Sequence, residues 1–301
     1  MIYTLTLNPS VDYIIELSEV NLGELNRTEQ TSKFAGGKGI NVSKVLQRMG
    51  VESKALGFIG GFTGDYIKNQ LMQEAIHTDF VQVEEDTRIN VKVKSADETE
   101  LNAAGPTISA EKLAELKEKI SKLNSEDLLV LAGSIPSTLP ANTYEELVKI
   151  CSENKVSFVV DAEGELLQKV LPYNPFLIKP NHHELGDLFD TTITSAEDVI
   201  PYGKKLLELG AQNVIVSLAG DGAVFINQHE TIISTVPKGE VKSSVGAGDS
   251  MVAGFLAKYK ETQDLKEAFR YSIASGSATA FSIGLCTKEK VESLLPQVVL
   301  K

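Results

Sequence analysis

A chain of 301 residues with 42% hydrophobic and 23% charged content is long enough to bury one large core, or a core with a small appendage, which excludes a disordered class. A formal net charge of −12 excludes a concentrated basic face for nucleic acid, but not phosphate-bearing small molecules, which need only local cations. Cys151 and Cys286 lie far apart with no C-x-x-C spacing and the four histidines have no metal spacing, so reduced buried thiols and no histidine or zinc site are expected.

From the N-terminus, apolar β-like runs at 2–7, 54–59, 128–132, 157–161, 176–179 and 214–218 alternate with helical patterns. That alternation predicts an α/β chain, a mostly parallel sheet covered by helices on both faces. The helices carry their own punctuation. One opens at Gly36-Gly37-Lys38 and runs to Met49, with Gly50 as its stop; Ser109 caps 110–123; a capping box over 194–197 precedes a helix ending at Gly210; Met251 begins the helical run 251–259; Asp264 opens a helix reaching about 281. Two stretches, 12–34 and 87–102, break the rhythm and read as strands rich in Val, Ile and Thr, which are expected to pair into a small sheet. No linker long enough to separate independent domains is visible, so 1–301 reads as one domain. Residues 1–9 show no basic segment followed by an apolar one, and no apolar run approaches membrane-spanning length, so the chain is expected to be soluble and cytoplasmic.

The chemistry concentrates in two glycine clusters. In Val245-Gly246-Ala247-Gly248-Asp249-Ser250-Met251, glycines let backbone N–H groups converge, and the helix behind them adds partial positive charge, which suits an anion. Asp249 is no attractant for that anion; its economical role is to take a proton from a hydroxyl attacking a phosphoryl group, while the N–H groups of Gly246, Ala247 and Gly248 hold the developing charge. The second cluster, Gly36-Gly37-Lys38-Gly39-Ile40-Asn41-Val42-Ser43, again ends a β-like segment and opens a helix. Ile40 stands where a P-loop needs Ser or Thr, and Met251 where a dinucleotide fingerprint needs its last glycine, so neither of those nucleotide folds is expected.

Both clusters, with Ser243-Ser244 before the second signature and Ala253-Gly254-Phe255 after it, resemble the two signatures of the PfkB/ribokinase family of carbohydrate kinases, over essentially the whole chain. The resemblance implies a ribokinase-like three-layer α/β/α core with a small β-sheet lid formed by about 12–34 and 87–102, and phosphorylation of a sugar by ATP with Mg2+. A lid excludes water that would otherwise take the phosphoryl group. Its outer face, where apolar, is expected to make a homodimer contact. Thr4-Leu5-Thr6-Leu7-Asn8-Pro9-Ser10-Val11-Asp12, Arg88-Ile89-Asn90-Val91-Lys92 and Thr99-Glu100-Leu101-Asn102 look most like the phosphosugar branch, and the Arg88 stretch most like members acting on fructose 1-phosphate. Tagatose 6-phosphate, fructose 6-phosphate and a non-catalytic sugar-phosphate sensor stay open as alternatives.

Site residues follow in the same terms. Asp12, after the turn at the end of the first strand, is expected to accept hydrogen bonds from sugar hydroxyls, with Gly37, Lys38 and Asn41 at the next helix N-terminus binding hydroxyls and phosphate. Arg27, Arg88 and Lys92 are expected to complete a cationic pocket for the substrate phosphate, with Asn102 and Ser134 as further candidates. On the nucleotide side, Lys179-Pro180-Asn181-His182-His183-Glu184 looks like the family's N-x-x-E motif; Asn181 and Glu184, one turn apart, are expected to hold Mg2+ through its waters, or else to form a capping pair. Ser217, Ala219, Gly220 and Gly222 resemble the phosphate-side loop, with Ala219 where a glycine is usual. Ser244, and Ala274 and Ser277 in the small-residue run 274–280, are expected to serve the nucleotide, the latter two by leaving room for the adenine.

Overall fold

The computed structural model describes residues 1–28, 30–95, 98–162 and 164–301; Glu29, Ala96 and Asp97, which fall in the expected small-sheet stretches, lie outside the described residues. In chain order the strands are β1 (Ile2–Thr6), β2 (Ser10–Glu16), β3 (Gln30–Gly36), β4 (Ser53–Gly60), β5 (His77–Thr78), β6 (Val81–Val83), β7 (Arg88–Lys94), β8 (Glu98–Leu101), β9 (Leu128–Ala132), β10 (Ser157–Asp161), β11 (Leu177–Ile178), β12 (Asn213–Ser217), β13 (Ala223–Asn227) and β14 (Thr231–Ser234). The helices are α1 (Lys38–Arg48), α2 (Gly61–Gln73), α3 (Ala110–Ser121), α4 (Thr143–Glu153), α5 (Gly164–Val170), α6 (His182–Leu188), α7 (Ala196–Glu208), α8 (Ala247–Thr262), α9 (Leu265–Ala280) and α10 (Lys288–Leu294).

The main sheet runs β14-β13-β12-β11-β10-β9-β1-β4-β5, with β6 also on β4. It is parallel from β5 and β6 to β12 and turns antiparallel in the edge hairpin β13–β14. Alternation along each strand feeds two cores: in β9, Leu129 and Leu131 enter one layer, with α3, α4 and α7, while Val130 and Ala132 enter the other, with α1, α8 and α9. The architecture is therefore a ribokinase-like three-layer α/β/α sandwich, and a separate small sheet, β3-β2-β7-β8, stands beside it. Among the described residues no helix is long and apolar enough to cross a membrane.

Several local expectations shift. The short strands β5 and β6 and the hairpin β13–β14 extend the sheet beyond the runs read from the sequence. The capping box ahead of α7 is Ser195 with Asp198, one residue later than the 194–197 spacing indicated, although Thr194 also donates to Asp198. α8 starts at Ala247 rather than at Met251, which puts Gly248 and Asp249 inside its first turn. Ser109 and Asp264 cap α3 and α9 as expected.

Candidate active site

The carboxyl ends of the parallel strands open on one cleft of about 1020 Å³. β1 delivers Thr6 and, just beyond it, Asn8; β9 leads to Gly133 and Ser134, β10 ends at Asp161, β11 leads to Lys179 and Asn181, and β12 ends at Ser217. This is the edge at which an α/β sheet binds ligands, because helix N-termini and strand-end loops converge there. The N-termini of α1 and α8 both open onto it.

Gly246 caps α8 in a left-handed backbone, φ 78, a conformation glycine adopts without the Cβ strain of other residues. The turn it makes presents the first N–H groups of α8 to the cleft, which Gly246, Ala247 and Gly248 all line. Asp249, in the same turn, is buried and accepts from Asn41 Nδ2 at 2.8 Å. Burial, and then the charge of Asp161, push its carboxyl up to about 6, against the opposing pull of Asn41, Lys38 and Lys179. Such a value keeps Asp249 ionised near neutral pH yet basic enough to accept a proton.

Asp161 is a site residue the sequence did not single out. It is buried, and its carboxylate meets Lys179 Nζ at 3.3 Å and Lys38 Nζ at 3.9 Å. The arrangement holds two ammonium groups in the cleft beside Asp161, and Lys179 Nζ approaches within 3.0 Å of where a Cβ on Gly248 would stand. As the last residue of an apolar strand, Asp161 carried no signal beyond its position at the ligand edge.

On the sugar side, Asp12 lies so close over Gly36 that a Cβ there would stand 2.5 Å from its carboxylate, so a larger residue at the junction of β3 and α1 would push that carboxylate aside. Asp12 accepts from Ser10 Oγ at 2.7 Å and from Asn90 Nδ2 at 3.3 Å. Asn90 lines the cleft too and was also missed as a site residue. Gly37, Lys38, Asn41, Arg88, Lys92, Asn102 and Ser134 all line the cleft. Arg88 is largely committed to the chain itself: Nη2 donates to Asn8 O at 2.9 Å and Nη1 to Ala103 O at 3.0 Å, while Nε is buried with no hydrogen-bond partner. Lys92 is paired with Glu100 at 3.1 Å, its neighbour in the β7–β8 register. Arg27 is not brought to the cleft; it is exposed on the connection between β2 and β3, at the ends of these strands away from Ser10 and Gly36, which lie at the site.

On the nucleotide side, Lys179, Asn181, Glu184, Ser217, Ala219, Gly220, Gly222, Ser244 and Ser277 line the cleft. Asn181 and Glu184 form a reciprocal capping box on α6: Asn181 Oδ1 accepts from Glu184 N at 2.9 Å and Glu184 Oε2 from Asn181 N at 2.8 Å. The pair therefore has a structural task as well as its place at the cleft. Ala219 adopts φ 52, so the left-handed backbone expected of a glycine is taken up by alanine here. Ala274 is fully buried among core side chains and does not line the cleft, whereas Ile273, Ser277 and Ala280, which share the neighbouring face of α9, do.

A buried carboxylate in the first turn of a helix, with two lysines paired beside it at the ligand edge of a three-layer sandwich, is an arrangement suited to phosphoryl transfer. The model of the pfkB family of carbohydrate kinases matches residues 5–291, and the chain belongs to that family. It is 55% identical over 298 residues to the 1-phosphofructokinase of Bacillus subtilis strain 168, covering 99% of this chain and 98% of that protein. It is 40% identical over 299 residues to a D-tagatose-1-phosphate kinase of Bacillus licheniformis, covering 99% and 98%. The structure of phosphofructokinase-2 from Escherichia coli in complex with fructose-6-phosphate superposes with a TM-score of 0.92 at 28% identity, covering 98% of each chain. The chain is thus a sugar kinase, a phosphotransferase with an alcohol acceptor.

Proposed function

We propose that the chain transfers the γ-phosphoryl group of ATP to the 6-hydroxyl of fructose 1-phosphate, giving fructose 1,6-bisphosphate and ADP. The observation that carries this reading is Asp249: a buried carboxylate raised to about 6, fixed by Asn41 from the sugar side and set in the first turn of α8 beside the Gly246-Ala247-Gly248 donors. In this mechanism Asp249 takes the proton of the attacking hydroxyl. The N–H groups of Gly246, Ala247 and Gly248 stabilise the charge on the group in transit, and Lys38 and Lys179 hold the phosphate oxygens on either side. Asp12 and Asn90 orient the sugar hydroxyls. Arg88 receives the 1-phosphate; its unpartnered, buried Nε supports that role, since a donor left unsatisfied in the free protein gains most from an anionic acceptor. The small sheet β3-β2-β7-β8 acts as a lid that keeps water from the phosphoryl group.

ATP is read along Lys179–Glu184 and Ser217–Gly222, with the adenine against Ser277 and Ala280. Asn181 and Glu184 offer oxygen donors at the cleft, and no group of three or more His, Cys, Asp or Glu residues that could enclose an ion occurs among the described residues. That donor set fits Mg2+, which retains most of its waters. Asn181 and Glu184 would hold it through those waters, and the bound ion supplies neutralisation of phosphate charge. Ile89 and Leu101 are exposed on the face of the small sheet opposite the cleft-lining Arg88, Asn90, Lys92 and Glu100, which supports a homodimer through that face.

The identity to a D-tagatose-1-phosphate kinase favours one second reading, the same 6-hydroxyl transfer on tagatose 1-phosphate. ADP release at saturating MgATP, compared by kcat/KM for fructose 1-phosphate, tagatose 1-phosphate, tagatose 6-phosphate and fructose 6-phosphate, tests both. Preference for fructose 1-phosphate upholds the main reading, preference for tagatose 1-phosphate replaces it with the second, and preference for either 6-phosphate overturns the assigned acceptor hydroxyl.

A further inference from the structure

Behind the anion-binding turn lies a second layer of contacts. A Cβ on Gly246 would stand 2.6 Å from Leu285 Cδ2, so the Leu285 side chain forms the wall against which this turn rests. Leu285 belongs to the connection between α9 and α10, and its carbonyl and that of Cys286 both accept from Arg48 Nη1, at 2.5 and 3.1 Å. The same connection is tied from its other side. Cys286 N–H donates to Thr279 Oγ1 at 3.0 Å, and Thr279 Oγ1 donates at 2.7 Å to Ser250 Oγ, the residue after Asp249. Helix α1 therefore reaches the Gly246–Asp249 turn twice: directly through Asn41, and indirectly through Arg48 and Leu285.

We propose that Arg48 is a positioning residue for phosphoryl transfer, its guanidinium holding the α9–α10 connection so that Leu285 keeps Gly246 and the N–H groups after it aimed at the group in transit. The inference rests on reading that turn as the transfer centre. A charged donor shared by two carbonyls is stronger than a neutral one, and donors preorganised for a transition state lose rate when they drift by fractions of an ångström. Arg48 itself is exposed and lies outside the cleft lining, so its loss leaves two carbonyls to water instead of opening the core. A stapling role confined to stability would leave kcat untouched.

The test measures kcat and KM separately for wild type, Arg48→Ala and Arg48→Lys, on the sugar phosphate that the wild type turns over best, with thermal midpoints recorded in parallel. The expected result is a kcat about tenfold lower in Arg48→Ala with KM for the sugar phosphate within about twofold of wild type, and partial recovery in Arg48→Lys. An Arg48→Ala protein with wild-type kcat, or one altered only in its thermal midpoint, overturns the proposal. If Arg48→Ala fails to fold, Leu285→Ala carries the same expectation and the same overturning result. A wild type inactive on every sugar phosphate overturns the functional reading and this inference together, whereas an active wild type matched by Arg48→Ala overturns this inference alone.

Discussion

Asn41 donates its side-chain N–H to Asp249 at 2.8 Å across 208 positions of sequence, joining the first turn of α1 to the first turn of α8. Both helices start at the same edge of the sheet, each behind a glycine-rich turn, so the contact joins the proposed sugar side of the cleft to the phosphoryl-transfer side. A bond to the carboxylate form lowers a carboxyl's proton affinity, and burial raises it; at Asp249 burial wins.

Asp249→Asn separates catalysis from stability. The amide keeps an acceptor for Asn41 but cannot take a proton, so kcat is expected to fall by at least about 10²-fold. Because the folded-state carboxyl sits at about 6 rather than its ordinary 3.8, the folded chain holds that proton more tightly than the unfolded chain. Stability is therefore lost as pH rises through that window, and the penalty is complete above it. The variant is expected to be more stable than wild type near pH 8, by on the order of 2–3 kcal/mol, and to lose that advantage as pH falls through the window to the ordinary carboxylate value. Denaturant midpoints at both ends of the window check the sign, and a variant less stable at high pH would contradict it.

The acid limb of kcat/KM reports the same group in the free enzyme, and its midpoint is expected near 6. Asp161 contributes to that height through its negative charge. Removing the charge in Asp161→Asn also leaves Lys38 and Lys179 without their shared carboxylate, and both changes favour the ionised base. The limb is expected to move to lower pH in this variant. A limb that stays in place or moves upward would detach Asp161 from the base.

Sequence pattern exposed the parts of this design that depend on local periodicity. The longer parallel strands, the caps of α3 and α9 and the two glycine clusters announce themselves within a few residues. What it missed depends on partners brought together by the fold. Asp161 looks like the end of an apolar strand until Lys38 and Lys179 converge on it. Lys92 reads as an available cation until the antiparallel register sets Glu100 opposite it. Ala274 sits one residue past the cleft-lining Ile273, and the rotation between successive helical residues turns it into the core. Arg27 lies in the right segment but on its exposed side.

The Lys92–Glu100 pair makes a prediction about substrate affinity. The two side chains line the cleft at 3.1 Å, and the hydrogen bond from Lys92 holds the Glu100 carboxyl below its ordinary value. Glu100→Gln removes both a competitor for the ammonium and a charge that repels a phosphate dianion. Because partly exposed pairs are worth less than about 1 kcal/mol, KM for the sugar phosphate is expected to fall by about two- to fivefold, with kcat unchanged. A rise in KM would instead make Glu100 a ligand for a sugar hydroxyl.

Ala219 offers a test on the nucleotide side. Its φ of 52 is in the left-handed region, where the Cβ of an alanine crowds the following carbonyl, and the residue lines the cleft at the end of β12. Glycine relieves that crowding but gives back part of the gain through the greater freedom of the unfolded chain. Ala219→Gly is therefore expected to stabilise the fold by about 0.5–1 kcal/mol and raise the thermal midpoint by a few degrees. Since the backbone already has the shape a glycine would take, KM for ATP should stay at its wild-type value. A higher KM in Ala219→Gly would mean that the alanine methyl itself touches the nucleotide, and a lower thermal midpoint would mean that the left-handed turn carries no strain.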